Sequence, residues 1–391
     1  MDIPLPYWRL SFFYFAYFAS LAGLSPYFGL YLTKLGFDAR QIGELTAIIL
    51  FTKLIAPNFW SWIGDRSGLH ITLVRMGSFI ATICFTGIFI GSSYGWLAIV
   101  FFIFSFFWNA MLPQMEAITL FYLGKNTDQY SRIRLWGSVG FIVTVIILGW
   151  LFNSIDVTWL PVIIVGLLCS IFLSSLLIPE KKIIYTLQNN HSVRQVLLQP
   201  PVIALFCCCF LLQASHGVYH TFYSIYLEQF GYSRIFIGQL WALGVISEVV
   251  IFIFMRHILA HFNLHTLFIF TFVLTACRWL FIGFGIQMIA ILIFAQLLHA
   301  VSFGLFHAVS IQFIHRYFNG RLQARGQALY ASIGFGAGNG LGSLCSGYAW
   351  ESLGPQVTFI ISAALCVIAV FIAIEAKRME RALSLCANQQ V

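Results

Sequence analysis

The amino-acid sequence predicts an all-α membrane protein with twelve transmembrane helices in two pseudo-symmetric six-helix bundles. Three observations support this fold class: the composition, the spacing of the apolar runs and an internal repeat. Hydrophobic residues make up 60% of the 391 positions and charged residues only 9%, and the mean hydropathy is +0.89. Because a soluble domain is about half apolar and about one quarter charged, this composition indicates a chain that resides in lipid.

The apolar runs set the number of helices. A bilayer core about 30 Å thick requires about 20 apolar residues per helix, and the sequence contains a dozen such runs separated by short polar breaks. The first run lacks the features of a cleavable signal, so we expect it to be retained as a span. The predicted spans are residues 8–32, 41–64, 71–91, 96–122, 133–153, 157–178, 200–228, 234–257, 265–285, 287–315, 326–349 and 355–375.

Lysine and arginine are distributed unevenly between the two sides of these spans. Of the 21 Lys and Arg residues, only Lys34, Arg40 and Arg234 fall on the predicted outer side, and Lys53 and Arg278 lie inside spans. The positive-inside rule therefore predicts two cytoplasmic termini and an even number of spans. The same distribution explains the formal net charge of +8 without a nucleic-acid partner.

An internal repeat divides the chain into two halves. Residues 32–45 resemble residues 227–240 at an offset of 195, and residues 138–141 resemble residues 332–335 at an offset of 194. We predict bundles over residues 1–178 and 200–391, joined by a polar cytoplasmic linker over residues 179–199. Parallel halves of this kind are typical of major facilitator carriers, which bind substrate near the bilayer midplane between the halves.

Four charged residues lie in the interior of the predicted spans, away from the span ends: Lys53, Glu116, Glu248 and Arg278. A charge at the bilayer centre costs about 2.5 to 3.5 kcal/mol on the insertion scale, so each is expected to face a cavity and a partner. Lys53 and Glu248 are separated by the repeat offset of 195, so they occupy equivalent positions with opposite charge. We expect both to face one substrate cavity, with a purely structural ion pair between the halves as the alternative.

The other intramembrane charges suggest two further pairs. Glu248 and Arg278, on adjacent helices, are candidates for proton coupling, and Arg278 is also a candidate for binding a substrate carboxylate through its two-donor fork. Glu116 lies nearer the cytoplasmic end and is expected to pair with Arg132 or Arg134 as a gate or structural contact, with substrate contact as the alternative.

Histidines are the remaining candidates for proton transfer, because an unperturbed histidine has a pKa near 6.5. His299 and His307 follow each other at helical spacing in the tenth span. In the seventh span Gln213, His216 and His220 fall on one stripe, which either lines a water-filled pore or hydrogen bonds the substrate. His216 and His220 lack the glutamate of a zinc motif, so no metal site is predicted.

Aromatic residues supply candidate surfaces for an aromatic substrate. Tyr27, Tyr31, Tyr219 and Trp241 lie in spans where their rings could stack on a ligand, and packing between helices is the alternative.

Several segments resemble the 3-phenylpropionate transporter group of the major facilitator superfamily, a relative of the lactose permease type of proton symporter. The resemblance runs nearly end to end, and the inner loop 64–68 resembles the superfamily's loop signature, which implies a gating or structural role for Asp65 and Arg66. The segments that carry the resemblance are residues 134–141, 211–216, 240–249, 278–279 and 296–299, followed by His307.

Lactose-permease-like carriers place an acid on helix eight, an arginine on helix nine and a titrating cluster on helix ten. Glu248, Arg278, His299 and His307 reproduce that order along this chain. The resemblance therefore implies proton-coupled uptake of a small organic solute, driven by a proton gradient without a bound cofactor.

The sequence thus predicts a secondary active transporter that takes up a small organic anion, such as an aromatic carboxylate, together with protons. The alternative is a neutral sugar or nucleoside carried by the same proton machinery. The chain has no phosphate-binding loop of the G-x-x-x-x-G-K-[ST] type, which argues against an ATP-driven pump. An intramembrane enzyme or a non-transporting receptor is a remote alternative. We expect a monomer whose partners are its substrate, protons and the bilayer.

Overall fold

The structure, a computed structural model, describes residues 5–124, 129–181, 193–319 and 322–388. Over these ranges the chain is helical and contains no β-strand, which confirms the predicted fold class. Residues 182–192 of the predicted linker lie outside the described residues. The long helices are α1 (Tyr7–Lys34), α2 (Ala39–Ser67), α3 (His70–Thr86), α4 (Tyr94–Leu123), α5 (Tyr130–Ser154), α6 (Leu160–Leu176), α7 (Pro200–Gln229), α8 (Arg234–His261), α9 (Leu264–Phe284), α10 (Ile289–Tyr317), α11 (Gln323–Tyr330, Ala331–Gly338 and Asn339–Leu353 in succession) and α12 (Pro355–Asn388).

Each predicted span falls on one of these twelve helices. Within the described ranges, ten helices are long and apolar enough to cross a membrane. The other two, α1 and α11, have lower hydropathy because α1 is rich in tyrosine and α11 is rich in glycine and serine. A single turn of helix, Val193–Leu197, precedes α7.

The backbone reproduces the sequence repeat at the ends of α1 and α7. Gly36 and Gly231 both have a positive φ, 89° and 80°, which a residue without a Cβ adopts at low cost. The residue after each glycine donates its N–H to the carbonyl of Leu32 or Leu227, in both cases at 3.2 Å. This 6→1 hydrogen bond is the Schellman arrangement that ends many helices, so the same turn follows both helices.

The helices that follow these turns begin in related ways. The Asp38 carboxylate accepts the N–H of Gln41 at 2.8 Å and caps α2. At the equivalent place before α8, the Ser233 hydroxyl accepts the N–H of Phe236 at 3.2 Å. Both residues are favoured N-caps because their oxygens satisfy a free backbone donor.

The chain divides into two compact units. The first comprises Met1–Leu187 and His220–Val245, and the second comprises Gln188–Tyr219 and Ile246–Val391. The first unit therefore includes the connected ends of α7 and α8 together with the first six helices. The predicted bundles at residues 1–178 and 200–391 follow from the sequence repeat, whereas the two units are defined by compactness. The division into these bundles therefore stays a prediction.

The first unit is built on contacts of α1 with α5 and α6, of α2 with α4, and of α3 with α4 and α6. Glycines allow two of its helices to touch through their backbones. A Cβ on Gly140 of α5 would lie 2.3 Å from the carbonyl oxygen of Phe15 in α1, and a Cβ on Gly149 would lie 2.7 Å from the carbonyl oxygen of Arg234. Any larger residue at these glycines would force the helices apart.

The second unit uses the same device between α7 and α11. A Cβ on Gly217 would lie 2.2 Å from the carbonyl carbon of Gly342, and a Cβ on Gly342 would lie 2.1 Å from the carbonyl oxygen of Ala214. These distances confirm the close helix packing that small residues at four-residue spacing permit. In the same unit α9 contacts α10 and α12, and α11 contacts α12.

Candidate functional site

Arg278 of α9 is completely buried and held by three hydrogen-bonding contacts. Its Nε donates to the carbonyl oxygen of Ala295 at 3.0 Å, and its Nη1 donates to Ser302 Oγ at 2.9 Å. Its Nη2 lies 3.5 Å from Gln296 Oε1. Because the guanidinium is planar and its donors are fixed in a fork, contacts in three directions determine its orientation.

Aromatic rings cover the Arg278 guanidinium. Its central carbon lies 4.4 Å from the centre of the Tyr219 ring and 4.8 Å from that of Trp279, both within the range of cation–π attraction. The Tyr219 hydroxyl donates to the same Gln296 Oε1 at 3.0 Å. We refer to Tyr219, Arg278, Gln296 and Ser302 as the arginine cluster. Its hydrogen bonds and rings stabilise a positive charge that would otherwise be costly in a membrane span.

Glu248 of α8 lies next to His299 of α10. His299 Nε2 and Glu248 Oε2 are 3.8 Å apart, and the two side chains are 8% and 20% exposed. This distance exceeds that of a hydrogen bond but allows an ion pair when His299 is protonated. α8 and α10 come close here, since a Cβ on Gly304 would lie 3.2 Å from Glu248 Cγ.

The helix that carries His299 is irregular at this point. Its first α-helical part ends at Leu297, and residues Ala300–Leu305 form a π-helix before α-helix resumes at Phe306. Short π segments are rare in proteins and occur frequently at functional sites. Of the groups bound by Arg278, Ala295 lies in the α-helical part before the interruption and Ser302 lies within the π-helix.

Two polar residues of α7, Gln213 and His216, are completely buried in the second unit. His216 Nδ1 is 2.9 Å from the carbonyl oxygen of Leu212, so this nitrogen carries the proton, and the imidazole packs edge-on against Trp279. Neither amide atom of Gln213 has a hydrogen-bond partner among the described residues. A buried amide in this state requires an explanation, and a ligand or water is the usual one.

His307 occupies a different environment from His299. Its Nδ1 lies 3.0 Å from the hydroxyl oxygen of Tyr330 in α11, and the two rings are 5.6 Å apart. The predicted proton-coupling histidines therefore have different partners, a carboxylate for His299 and a phenol for His307.

Lys53 lies in α2 of the first unit and is half-buried. Its ammonium makes no hydrogen bond or ion pair with any residue that the structure describes. Its neighbour in sequence, Thr52, instead belongs to a neutral network in which the Asn109 amide donates to Thr52 Oγ1 at 2.8 Å and Thr52 donates to Ser105 at 3.0 Å. Binding of a substrate anion at Lys53 stays a prediction.

The first unit also contains the predicted Glu116 contact. Glu116 hydrogen bonds with the Tyr130 hydroxyl and interacts electrostatically with Arg134. The Arg134 guanidinium lies over the Phe18 ring, with its carbon 4.0 Å from the ring centre. The structure thus connects α4 with the start of α5 through these side chains, and whether this contact acts as a gate stays a prediction.

At the end of α2, Asp65 and Arg66 have separate surroundings. Arg66 lies over the ring of Trp62 at 4.3 Å, whereas Asp65 interacts electrostatically with His70. His70 is buried, and its Nδ1 is 2.6 Å from Gln114 Oε1.

A Cβ on Gly64 would lie 2.6 Å from Gln114 Oε1 and 2.8 Å from His70 Nδ1, so the small residue before Asp65 is required for this contact. The sequence did not predict this pair, because His70 begins α3 and Gln114 lies 44 residues later in α4.

Two of the predicted substrate-stacking residues, Tyr27 and Trp241, lie in the first unit and are buried. The Tyr27 hydroxyl donates to the carbonyl oxygen of Val145 at 2.8 Å, so it bridges α1 and α5. The Trp241 indole donates to Ser224 at 3.0 Å, and the His220 ring stacks nearby at 6.5 Å. These contacts show helix packing, and a role in substrate binding stays a prediction for both residues.

Gln296 and Ser302 are site residues that the sequence did not single out. They lie three residues before and three residues after His299, a spacing that places neighbours on one helical face and could have drawn attention to them. Gln296 Nε2 has no hydrogen-bond partner within the described ranges, although its Oε1 accepts from Tyr219.

Comparisons with known proteins give one consistent result. The model of the MFS_1 like family matches residues 7–361. The protein named Probable 3-phenylpropionic acid transporter of Escherichia coli strain K12 is 26% identical over 364 residues, covering 89% of this chain and 92% of that protein. Maltose permease of Geobacillus stearothermophilus is 21% identical over 374 residues, covering 94% of each chain. A solved structure of a mutant of the nucleoside transporter NupG superposes with a TM-score of 0.84 at 18% identity, covering 95% of this chain and 99% of that one.

Proposed function

Because this chain belongs to the MFS_1 like family and is a multi-pass secondary transporter of the major facilitator type, we propose that it carries a small organic anion and a proton together across the bacterial inner membrane. The preferred substrate is an aromatic carboxylate of the 3-phenylpropionate kind. The name of the Escherichia coli relative supports this substrate class.

One observation carries the proposal. At positions separated by the repeat offset, the first unit presents the half-buried cation Lys53 without a partner among the described residues, and the second presents the acid Glu248 beside the titratable His299. A cation available to an external anion and an acid that can be protonated are the two functions that symport of an anion with a proton requires.

The charges explain why the two cargoes would travel together. In the empty carrier, Lys53 is positive and deprotonated Glu248 is negative. In the loaded carrier, the substrate carboxylate offsets Lys53 and the proton neutralises Glu248. Both forms therefore have the same net charge summed over these two positions, whereas binding only one cargo changes that net charge by one unit.

The magnitude of that imbalance sets the strength of coupling. An uncompensated central charge costs about 2.5 to 3.5 kcal/mol on the insertion scale. Since about 1.4 kcal/mol is a factor of ten in an equilibrium, the half-loaded forms are disfavoured by about two orders of magnitude. A ligand drives a conformational change only if it binds the two states differently, and this difference in charge provides that bias.

A neutral sugar or nucleoside is the second candidate substrate. The likeness to maltose permease supports it, and so does the buried Gln213 amide, since amides hydrogen bond hydroxyl groups. In that case Glu248 and His299 would still transfer the proton, but Lys53 would not contribute to substrate affinity.

Uptake into proteoliposomes tests both candidates. Purified protein would be reconstituted, an inward proton gradient imposed, and uptake of 3-phenylpropionate, maltose and uridine compared with and without the gradient. We expect gradient-dependent accumulation of the aromatic carboxylate only. Gradient-dependent accumulation of maltose or uridine, without that of 3-phenylpropionate, would support the second candidate. Uptake that is the same with and without the proton gradient would contradict proton coupling.

A further inference from the structure

We infer that Arg278 is a positioning residue that fixes the irregular segment of α10 and holds His299 against Glu248, and that it does not bind the substrate. This inference rests on the proposed role of Glu248 and His299 in proton coupling. It also reassigns a residue whose sequence context suggests a carboxylate ligand.

The guanidinium of Arg278 is enclosed by protein. The side chain of Arg278 has no exposed surface. The rings of Tyr219 and Trp279 cover it at 4.4 and 4.8 Å, and Nε and Nη1 already donate to protein oxygens at 3.0 and 2.9 Å. A carboxylate that used the two-donor fork would have to displace these contacts.

The hydrogen bonds of Arg278 reach two different parts of α10. Ala295 belongs to the α-helical part of α10 that ends at Leu297, and Ser302 belongs to the π-helix Ala300–Leu305. Arg278, on the neighbouring helix, therefore joins the first α-helical part of α10 to the π-helix that follows it. His299 is the residue immediately before the π-helix, so the same two bonds bracket it.

The distance between Glu248 and His299 depends on the π-helical turn of α10. Single π-helical turns within α-helices are rare, so we expect this turn to depend on support from its surroundings. The turn brings Gly304 close to Glu248 and leaves His299 Nε2 3.8 Å from the Glu248 carboxylate. If the turn relaxed to regular α-helix, the register of the residues after His299 would change, and so would the distance between the two titratable groups.

An arginine is suited to this role in a way that a lysine is not. Its planar fork directs separate donors towards Ala295, Ser302 and Gln296 at once, whereas an ammonium on a flexible stem cannot hold the same three directions. Arg278→Lys therefore keeps the positive charge but removes the three fixed donor directions. This substitution separates a positioning role from a role of the charge alone.

The test compares Arg278→Lys with Arg234→Lys. Arg234 is a matched control, because its guanidinium also bridges helices, with Nε 2.8 Å from Glu228 and Nη1 3.0 Å from the carbonyl oxygen of Phe152, but it lies outside the arginine cluster. For each variant, the KM for substrate counterflow, the pH profile of gradient-driven uptake and amide hydrogen exchange over residues 289–306 would be measured.

For Arg278→Lys we expect a displaced midpoint of the pH profile, faster hydrogen exchange over residues 289–306 and a counterflow KM within about threefold of the wild type, because uniform substrate binding is unaffected. Arg234→Lys should leave the pH midpoint and this exchange unchanged. A KM raised more than about tenfold with an unchanged pH midpoint would overturn the inference, because that pattern indicates a lost substrate contact.

A second variant covers the case in which Arg278→Lys does not fold. Ser302→Ala keeps the arginine and removes one of its acceptors, so it should displace the pH midpoint in the same direction by a smaller amount. Unchanged exchange over residues 289–306 and an unchanged pH midpoint in Ser302→Ala would contradict the inference. If wild-type uptake proved independent of the proton gradient, the proposed function would fail, and hydrogen exchange would still test the positioning role because it does not depend on transport.

Discussion

The surroundings of Lys53 in the first unit and of Glu248 in the second differ in how each charge is accommodated. Glu248 has His299 at 3.8 Å, next to a π-helical turn that the arginine cluster supports. Lys53 has no partner among the residues described, and the nearby Thr52 and Asn109 bond with each other and with backbone or hydroxyl groups. The second unit places a titratable partner next to its charge, and under the proposed function the substrate would be the partner of Lys53 in the first unit.

This difference shows what duplication preserved and what it changed. The two halves kept the same helix ends, with left-handed glycines at Gly36 and Gly231, and the same N-cap positions at Asp38 and Ser233. At the equivalent intramembrane positions they acquired opposite charges with different surroundings. A duplicated scaffold can therefore divide the two cargoes of a symporter between its halves.

Glu248→Gln should have the largest effect of the substitutions considered. A glutamine is neutral at every pH, so the second unit would stay in the charge state of the protonated carrier. We expect gradient-driven accumulation to fall by about two orders of magnitude, as the coupling free energy implies, while substrate counterflow continues. Both quantities, substrate accumulation under a proton gradient and substrate counterflow without one, can be measured in proteoliposomes. Undiminished uphill uptake by this variant would contradict the proposal that the second unit carries the proton and the first unit binds the anion.

Lys53→Met should have a smaller effect, on affinity. Removing the only cation proposed to meet the anion should raise the KM for 3-phenylpropionate by about tenfold or more, since opposite charges about 4 Å apart attract strongly even at an intermediate dielectric constant. Lys34→Met is the matched control, because Lys34 pairs at 3.4 Å with Asp156 where both are about half exposed, and such pairs contribute little. Equal KM values for the two variants would count against substrate binding at Lys53.

A third prediction compares equivalent glycines in the two units and concerns stability. A Cβ on Gly140 would lie 2.3 Å from the Phe15 carbonyl oxygen, but a Cβ on its repeat counterpart Gly334 would lie 3.4 Å from Gln213 Cγ. Gly140→Ala should therefore destabilise the protein by about 1 to 3 kcal/mol, the usual cost of overpacking, and Gly334→Ala should be tolerated.

The thermal unfolding temperature in detergent measures this difference. Gly166→Ala is the control, because a Cβ there meets no atom within 4 Å and alanine favours the helix. Similar losses for Gly140→Ala and Gly334→Ala would show that the two helix contacts are equally tight.

Much of the fold follows directly from the sequence. The spans are set by hydrophobic length, and the helix ends at Gly36 and Gly231 are set by a local rule about positive φ. The glycine contacts of α7 with α11 follow from the spacing of Gly338 and Gly342. These features depend on residues close together in the chain, which is why they could be predicted.

The site depended on information that local patterns do not contain. The sequence indicated Arg278, but its enclosure by Tyr219 and Trp279 and its bonds across α10 arise from packing between helices. The π-helix after His299 has no local signal such as proline. Likewise, the hydrogen bond of Tyr27 to Val145 becomes evident only when α1 and α5 are in contact.

Proton movement linked to substrate entry is the most direct test of the central claim, that the second unit carries the proton and the first carries the anion. Wild-type protein in lightly buffered proteoliposomes would be given the substrate identified by the uptake comparison, and the external pH would be followed. We predict alkalinisation outside the vesicles in proportion to the substrate taken up, and none with Glu248→Gln. Substrate entry without proton movement in the wild type, or unchanged alkalinisation with Glu248→Gln, would contradict this account.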